Sequence, residues 1–358
     1  MSHGFLSMAA ALASLIDPVP LDINKASLRE LETLPGIGPA TASAIVDFRE
    51  SCGPILELDD LLGVPGIGSE TLARIAPHVT VDEDERLPVG TEHWLPVSDS
   101  LRAPLLRIAT LDVGEGDAVL LSCPDGMTVL VDGGPDDGGP IVPPVVTRLV
   151  GLGIDTLGAV VMTHPHEDHI GGLVEVVRRF GVGCFYDPGM EFASPVYESL
   201  LETIEEAGVP YRLLEAGLTI DMGSAVLTVV DAGGASPGGT NEGSAVFGVT
   251  CGSFTALLAG DIEQASEVEL TPLVRPVDFM LAPHHGSRSS AFMPFLRRLR
   301  PQFAAVSAGR DNPFGHPHMS VLEKYASLGT TLLRTDRAGT IFLETDGDSI
   351  SVRTATRG

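Results

Sequence analysis

The sequence predicts an α/β domain preceded by a small all-α domain, and three observations carry that expectation. A cluster of histidines and an aspartate joins a strand-like run to a helix-like run near the middle of the chain. Short acidic, glycine and histidine motifs recur at the ends of other strand-like runs. The N-terminal third holds two near copies of one turn, each flanked by helical spacing. A chain of 358 residues suffices for two domains and a large core. The expected divisions are a lead over 1–19, an all-α domain over 20–81, a linker over 82–104 and the α/β domain over 105–358.

In the lead, the apolar stretch from Phe5 to Ile16 is too short to span a bilayer and lacks the Lys/Arg flank of a secretory signal. The expectation is therefore no transmembrane segment and a cytoplasmic location, with an extracytoplasmic one as the alternative.

The repeat of the all-α domain is Leu34-Pro35-Gly36-Ile37-Gly38-Pro39 and Val64-Pro65-Gly66-Ile67-Gly68-Ser69. Apolar helical stretches follow each copy, over Ala40 to Phe48 and Glu70 to Ala76. Glycines let a backbone come close to a partner, and the N–H groups that open a helix can hold a phosphate. Gly36, Ile37, Gly38, Gly66, Ile67 and Gly68 are thus the candidate positions for close approach to a partner or a phosphate, and the resemblance given below implies that this partner is DNA. A helical packing module that binds nothing is the competing reading.

Charge weighs on that choice. The net charge is −26, and Lys25 and Lys324 are the only lysines. Such a surface repels polyanions at long range; a high-salt habitat would screen it. Between Pro20 and Val81 four basic residues face nine acidic ones, so any grip on DNA should be weak. The linker, rich in acidic residues, proline and serine, reads as a semi-flexible tether on which Trp94 could dock against a domain.

In the α/β domain, Leu157 to Met162 reads as a buried strand and Ile170 to Phe180 as a helix. The turn between them contains His164, His166, Asp168 and His169. Imidazole and carboxylate suit Zn²⁺, Mn²⁺ or Fe²⁺, and one short turn can aim alternate side chains at two adjacent ions. Cys52, Cys123, Cys184 and Cys251 are too widely spaced for a structural zinc site and read as buried thiols.

The string from Thr163 through His169, closed by Gly171-Gly172, resembles the signature of the metallo-β-lactamase superfamily. That resemblance implies an αβ/βα sandwich with a metal centre at one rim. Its expected companions follow in order as Val131-Asp132-Gly133-Gly134, Ala259-Gly260-Asp261 and Pro283-His284-His285-Gly286-Ser287. Leu111 to Ala118, His284 to Ser287 and Asn312 to Pro317 together look like the hydrolase domain of the ComEC family of DNA-uptake proteins. Arg334 to Gly339 is similar to that family's closing hairpin. Glu115 departs from it, since glutamine is usual there, and the family's channel segments have no counterpart in this sequence. Leu21 to Ser27, the two Gly-Ile-Gly turns and Asp59 to Leu62 look like the paired helix-hairpin-helix domain of the ComEA family, whose hairpins grip duplex backbone without reading sequence.

The resemblance implies a role for each site residue. His164 and His166 form one half-site, Asp168 and His169 the other, and Asp261 bridges two ions. His285 is the preferred last ligand, with His284 next. The superfamily's further histidine is missing between His169 and His284; Asn241 and Ser244 occupy its place. One site would then be under-coordinated and better suited to Mn²⁺ than to tightly held Zn²⁺. Asp132 would orient a ligating histidine from behind, and Asp112 and Asp117 either do likewise or cap turns. Ser287, Ser289 and Ser290, expected at a helix start, could hold a phosphate oxygen or simply cap. Asn312 and His316 would touch substrate or build a turn.

The expected function is a metal-dependent phosphodiesterase acting on DNA, with metal-bound hydroxide as nucleophile and Asp168 and Asp261 as the main catalytic carboxylates. The cofactors would be two divalent ions, Mn²⁺ or Zn²⁺. The partners would be DNA, bound weakly and without sequence preference, and a separate membrane channel protein. The alternatives are a hydrolase of a small phosphoester or lactone, or a non-catalytic DNA-binding adaptor.

Overall fold

The computed structural model describes residues 20–52, 55, 58, 61, 64–80, 93–94, 104–124, 126–136, 142–234 and 239–355. The lead over 1–19 and most of the linker lie outside them. The chain divides into two compact units, Met1–Pro88 and Val89–Gly358. No helix among the described residues is long and apolar enough to cross a membrane.

The smaller unit is helical. Ser27 and Glu30 form a reciprocal capping box that starts the helix Leu28–Leu31. The helices Pro39–Cys52 and Ser69–Ile75 follow the two Gly-Ile-Gly turns. Ile23, Leu31, Ile45 and Ile75 are fully buried and make its core. The strands Leu21–Asp22 and Val79–Thr80 pair in parallel and join the two ends of the unit. The guanidinium of Arg49 holds the carbonyls of Ile23 and Ala26, so this cation is spent inside the unit.

The larger unit is a four-layer sandwich. One sheet has nine strands, in the order Tyr211–Leu213, Phe185–Asp187, Ala159–Val161, Thr128–Val131, Val119–Ser122, Leu106–Thr110, Thr340–Thr345, Ile350–Ala355 and His93–Trp94. The other has seven: Thr219–Asp221, Val226–Asp231, Val246–Cys251, Phe254–Leu258, Phe279–Leu281, Phe303–Val306 and Thr331–Arg334.

Strand alternation explains the layering. Leu106, Ile108, Val119, Leu121, Val129 and Val131 face Leu227, Val229, Phe247 and Val249 of the other sheet. The intervening Ala109, Leu120, Leu130 and Val160 face outward onto helices Pro144–Gly151, Leu173–Arg179 and Pro195–Ala207. Helices Gln264–Leu270, Met293–Leu299 and Met319–Ser327 cover the second sheet. Strands buried on both faces read as continuous apolar runs, as these do. Each fully buried phenylalanine, Phe247 or Phe279 for example, contributes roughly 1.5–3 kcal/mol.

Several local expectations are corrected. The strand expected over Leu157 to Met162 is two pieces, Thr156–Leu157 and Ala159–Val161, which pair with different neighbours. Arg334 to Gly339 is not a hairpin: Thr335–Ala338 makes one helical turn, and the closing hairpin is Thr340–Thr345 with Ile350–Ala355. From the linker, His93–Trp94 adds to the sheet edge through its backbone, with Trp94 opposite Arg353.

Candidate metal centre

The centre is built where strands of both sheets end. The backbone leaves the strand Ala159–Val161 through Thr163 and His164, and Asp168 and His169 fall within the short helix Glu167–Ile170 rather than in the turn before it. Asp132 follows the strand Thr128–Val131 with φ +57°. Asp261 follows Phe254–Leu258, and His284 and His285 follow Phe279–Leu281. In a strand these two adjacent side chains would point to opposite faces. Here both residues adopt left-handed backbone, φ +50° and +53°, and both rings turn toward the centre, 6.0 Å apart.

Two sets of donors surround Asp261. Its Oδ1 lies 3.3 Å from His169 Nε2 and 3.5 Å from His285 Nε2. His285 Nε2 is also 3.4 Å from Asp168 Oδ2. Donor atoms of Asp168, His169, Asp261 and His285 all lie within 4.8 Å of one another. On the other side, Asp261 Oδ2 is 3.8 Å from His164 Nε2 and 3.8 Å from His284 Nε2. His164 Nε2 and His166 Nδ1 are 3.0 Å apart, and Asn241 Nδ2 is 3.2 Å from His284 Nε2.

Most of these imidazoles have an acceptor behind them. Asp132 accepts from His169 Nδ1 at 2.8 Å and also holds Thr163 through its N–H and hydroxyl, at 2.8 and 2.7 Å. Asp117 lies 3.4 Å from His285 Nδ1, which also approaches the Ser307 carbonyl at 3.1 Å. Glu263 lies 3.1 Å from His284 Nδ1. Such partners fix the tautomer and aim the far nitrogen. Gly116 lets the loop carrying Asp117 in: a Cβ there would sit 1.9 Å from the Asp168 carbonyl oxygen.

The fit to cations rests on orphaned atoms. His169 Nε2, His285 Nε2, Asp261 Oδ1 and Asn241 Oδ1 are buried without a hydrogen-bond partner. Buried polar atoms are rarely left so, and here they converge. The electrostatics agree. Burial works against charge on His169 and His285, yet Asp261 and the other carboxylates hold both imidazoles well above their usual range. Burial likewise opposes ionisation of Asp168 and Asp261, but His169 and His285 keep both carboxyls well below theirs. Burial and its neighbour His169 push His164 well down, so it stays neutral and able to donate a lone pair.

The remaining expected residues divide. Asp112 pairs through its carboxylate with Arg148 of the outer helix at 3.2 Å. Ser244 is buried and accepts from the Asp261 N–H at 3.2 Å, so it braces a ligand loop rather than facing substrate. Ser287 and Ser289 bond to each other at 2.9 Å, and Ser289 reaches His284 Nδ1 at 3.2 Å; the next helix starts only at Met293. Asn312 braces its own loop, bonding to the Gly309 and His316 carbonyls and to the His316 N–H. His316 is near the centre, its ring 5.8 and 6.0 Å from those of His284 and His285. Its Nδ1 lies 2.9 Å from Glu115.

In the helical unit the two turns differ in what they offer. Ile37 and Ile67 are buried, and their N–H groups bond to Leu34 and Val64 carbonyls, so neither is free for a phosphate. Gly38 and Gly68 stand at the helix starts in open space, where a Cβ would meet nothing within 4 Å.

Residues 111–310 match the metallo-beta-lactamase superfamily. The chain belongs to that superfamily. Residues 17–80 match the helix-hairpin-helix motif. The larger part is similar to ComE operon protein 3 of Bacillus subtilis, 28% identical over 253 residues, 66% of this chain and 32% of the relative. It is also similar to Recombination protein 2 of Haemophilus influenzae, 27% identical over 260 residues, 71% of this chain and 31% of the relative. The helical part is similar to ComE operon protein 1 of Bacillus subtilis, 38% identical over 61 residues, 17% of this chain and 30% of that protein. The chain thus spans about a third of the length of the curated relatives it matches. A helix-hairpin-helix segment and a metallo-beta-lactamase-fold domain related to competence proteins are joined in one chain.

Sequence reasoning missed Glu263, and it named Thr163 in the histidine motif without its role. Glu263 lies two residues beyond Asp261, and Thr163 immediately precedes the first histidine. Their closeness to the ligands was the available signal.

Proposed function

We propose that this chain is a metal-dependent phosphodiesterase that cleaves DNA. The observation that carries the proposal is the convergence of orphaned atoms of His169, Asp261 and His285, with Asp168 completing the set within 4.8 Å, in a chain whose helix-hairpin-helix segment suits a nucleic-acid backbone. These four residues would hold one divalent ion, and His164, His166, Asp261 and His284, with Asn241 beside them, a second. Two such ions, Mn²⁺ or Zn²⁺, would lower the pKa of a shared water and neutralise charge growing on the phosphate oxygens.

The chain's own residues supply the rest. Asp168, with 36% of its side chain exposed, is the open member of its set and can accept a hydrogen bond from the attacking water. Asp132, the Ser307 carbonyl with the Asp117 carboxylate beside it, and Glu263 keep their imidazoles aimed while substrate enters and leaves. His316, held at Nδ1 by Glu115, leaves Nε2 for a substrate oxygen at the mouth. His284, with its Nε2 3.8 Å from Asp261 Oδ2, would supply the second site with the ligand that the missing histidine leaves out. A separate membrane channel would complete an uptake role.

The test is cleavage of labelled DNA by the purified chain across divalent ions. Cleavage should stop on chelation and return more fully with Mn²⁺ than with Mg²⁺, because histidine ligands favour the former. Full activity in excess chelator would overturn the metal reading. Hydrolysis of small phosphoesters or lactones without DNA cleavage would replace the substrate class, and binding of DNA without any hydrolysis would make the chain an adaptor.

A further inference from the structure

The aromatic ring of Phe314 has no part in the metal centre, and yet it stands at its mouth. It is 63% exposed in a chain with only 5% aromatic residues. One face of the ring stacks on His316, 5.6 Å between centroids and 22° between planes. His316 in turn adjoins His284 and His285. The ring is not on a loose tip. Asn312 ties the loop to itself through Gly309 and His316, and Glu115 holds both the Gly309 N–H, at 2.8 Å, and His316. A rigid loop therefore keeps a phenyl face in water next to the candidate ions.

The surroundings suit a nucleotide. The exposed Arg288 stands three positions after His285 in the chain, and the ring of His318 is edge-on to His316 at 5.3 Å. A flat apolar face thus stands beside the place where a phosphate would meet the ions, and the loop that follows His285 carries a cation. The chain's 22 basic residues are outnumbered by 48 acidic ones, so a phosphate-only grip would be weak. Stacking adds affinity without charge, and every base offers a π-face.

We infer that Phe314 is a stacking platform for an unpaired nucleobase adjoining the cleaved phosphodiester, and that single-stranded DNA is the preferred substrate. Bases inside a duplex have both faces covered by their neighbours, so this platform serves strands already separated, or frayed ends. The inference rests on the DNA phosphodiesterase reading and narrows its substrate.

The test uses the full chain with Phe314→Ala and Phe314→Trp. For a single-stranded oligonucleotide, Phe314→Ala should raise KM about tenfold or more and leave kcat within about twofold, and Phe314→Trp should stay near the parent. A strand made of abasic residues should show no difference among the three. A second readout needs no turnover: a phosphorothioate single strand carrying 2-aminopurine should be quenched on binding the parent and the Trp variant, but not the Ala variant. Equal quenching by parent and Phe314→Ala, an unchanged KM, or equal kcat/KM on closed circular duplex and single strand would overturn the inference, with DNA cleavage itself left standing. Quenching without any cleavage would instead remove the phosphodiesterase reading and leave a base-binding site.

Discussion

The two sides of Asp261 are held differently. On the Oδ1 side, His169 and His285 are fully buried, each backed by a buried aspartate, and Asp168 closes the set within 4.8 Å. On the Oδ2 side, His166 is only half-buried and edge-on to Phe192, and His284 is part-exposed and leans on Glu263 and Ser289. In one half both imidazoles are sealed and acid-backed and only Asp168 opens to solvent; in the other His164 alone is fully buried, and the imidazoles of His166 and His284 border solvent. Sealed ligands resist displacement and exchange slowly, whereas ligands at a rim can yield to substrate.

The change that should most disrupt this arrangement is Asp261→Ala, because both sides share that carboxylate. Bound metal, counted by elemental analysis after gel filtration, should fall for both ions, and cleavage should drop by about a thousandfold or more. Retained activity would mean that Asp261 bridges nothing.

Asp168→Ala should separate the halves. It should cost nearly as much rate but remove only the ion of the sealed side, so that metal content falls toward one per chain. Loss of both ions would show the halves to be one cooperative unit.

A milder change is Glu263→Ala. Removing the acceptor behind His284 should weaken the rim-side ion by about ten- to hundredfold and spare the other, read as two separable phases in a calorimetric titration. A uniform weakening of both phases would contradict the inequality.

The smallest effect on turnover should come from the helical unit. Gly38→Val with Gly68→Val fits the open space at both helix starts without a clash. KM for long DNA should rise with kcat nearly unchanged, and small phosphodiester reporters should be cleaved as before. An unchanged KM on long DNA would make this unit a packing or partner-docking element.

The parts of this centre that were legible in the sequence are those that lie together along it. His164, His166, Asp168 and His169 share one turn and helix, and Asp132, Asp261 and His285 each close an apolar strand. The backing groups were harder to read, because their roles are set by contacts across the fold. Glu115 reaches His316 across 201 positions, and nothing in its own neighbourhood shows which imidazole it meets. Asp112 has the same strand-end setting as Asp132, yet Arg148 on the outer helix takes its carboxylate. The sequence likewise could not show that Ile37 and Ile67 turn inward, since a glycine-flanked apolar residue in a turn suits a core as well as a surface.

The loop from Gly309 to His316 carries one more consequence. Its shape comes from Asn312 within and Glu115 beneath, while the phenyl ring at its tip bears no load on the fold. It is a cassette: the tip can be exchanged while the ligand cage behind it stays in register. A designer could therefore graft at Pro313 and Phe314 without rebuilding the ligand cage.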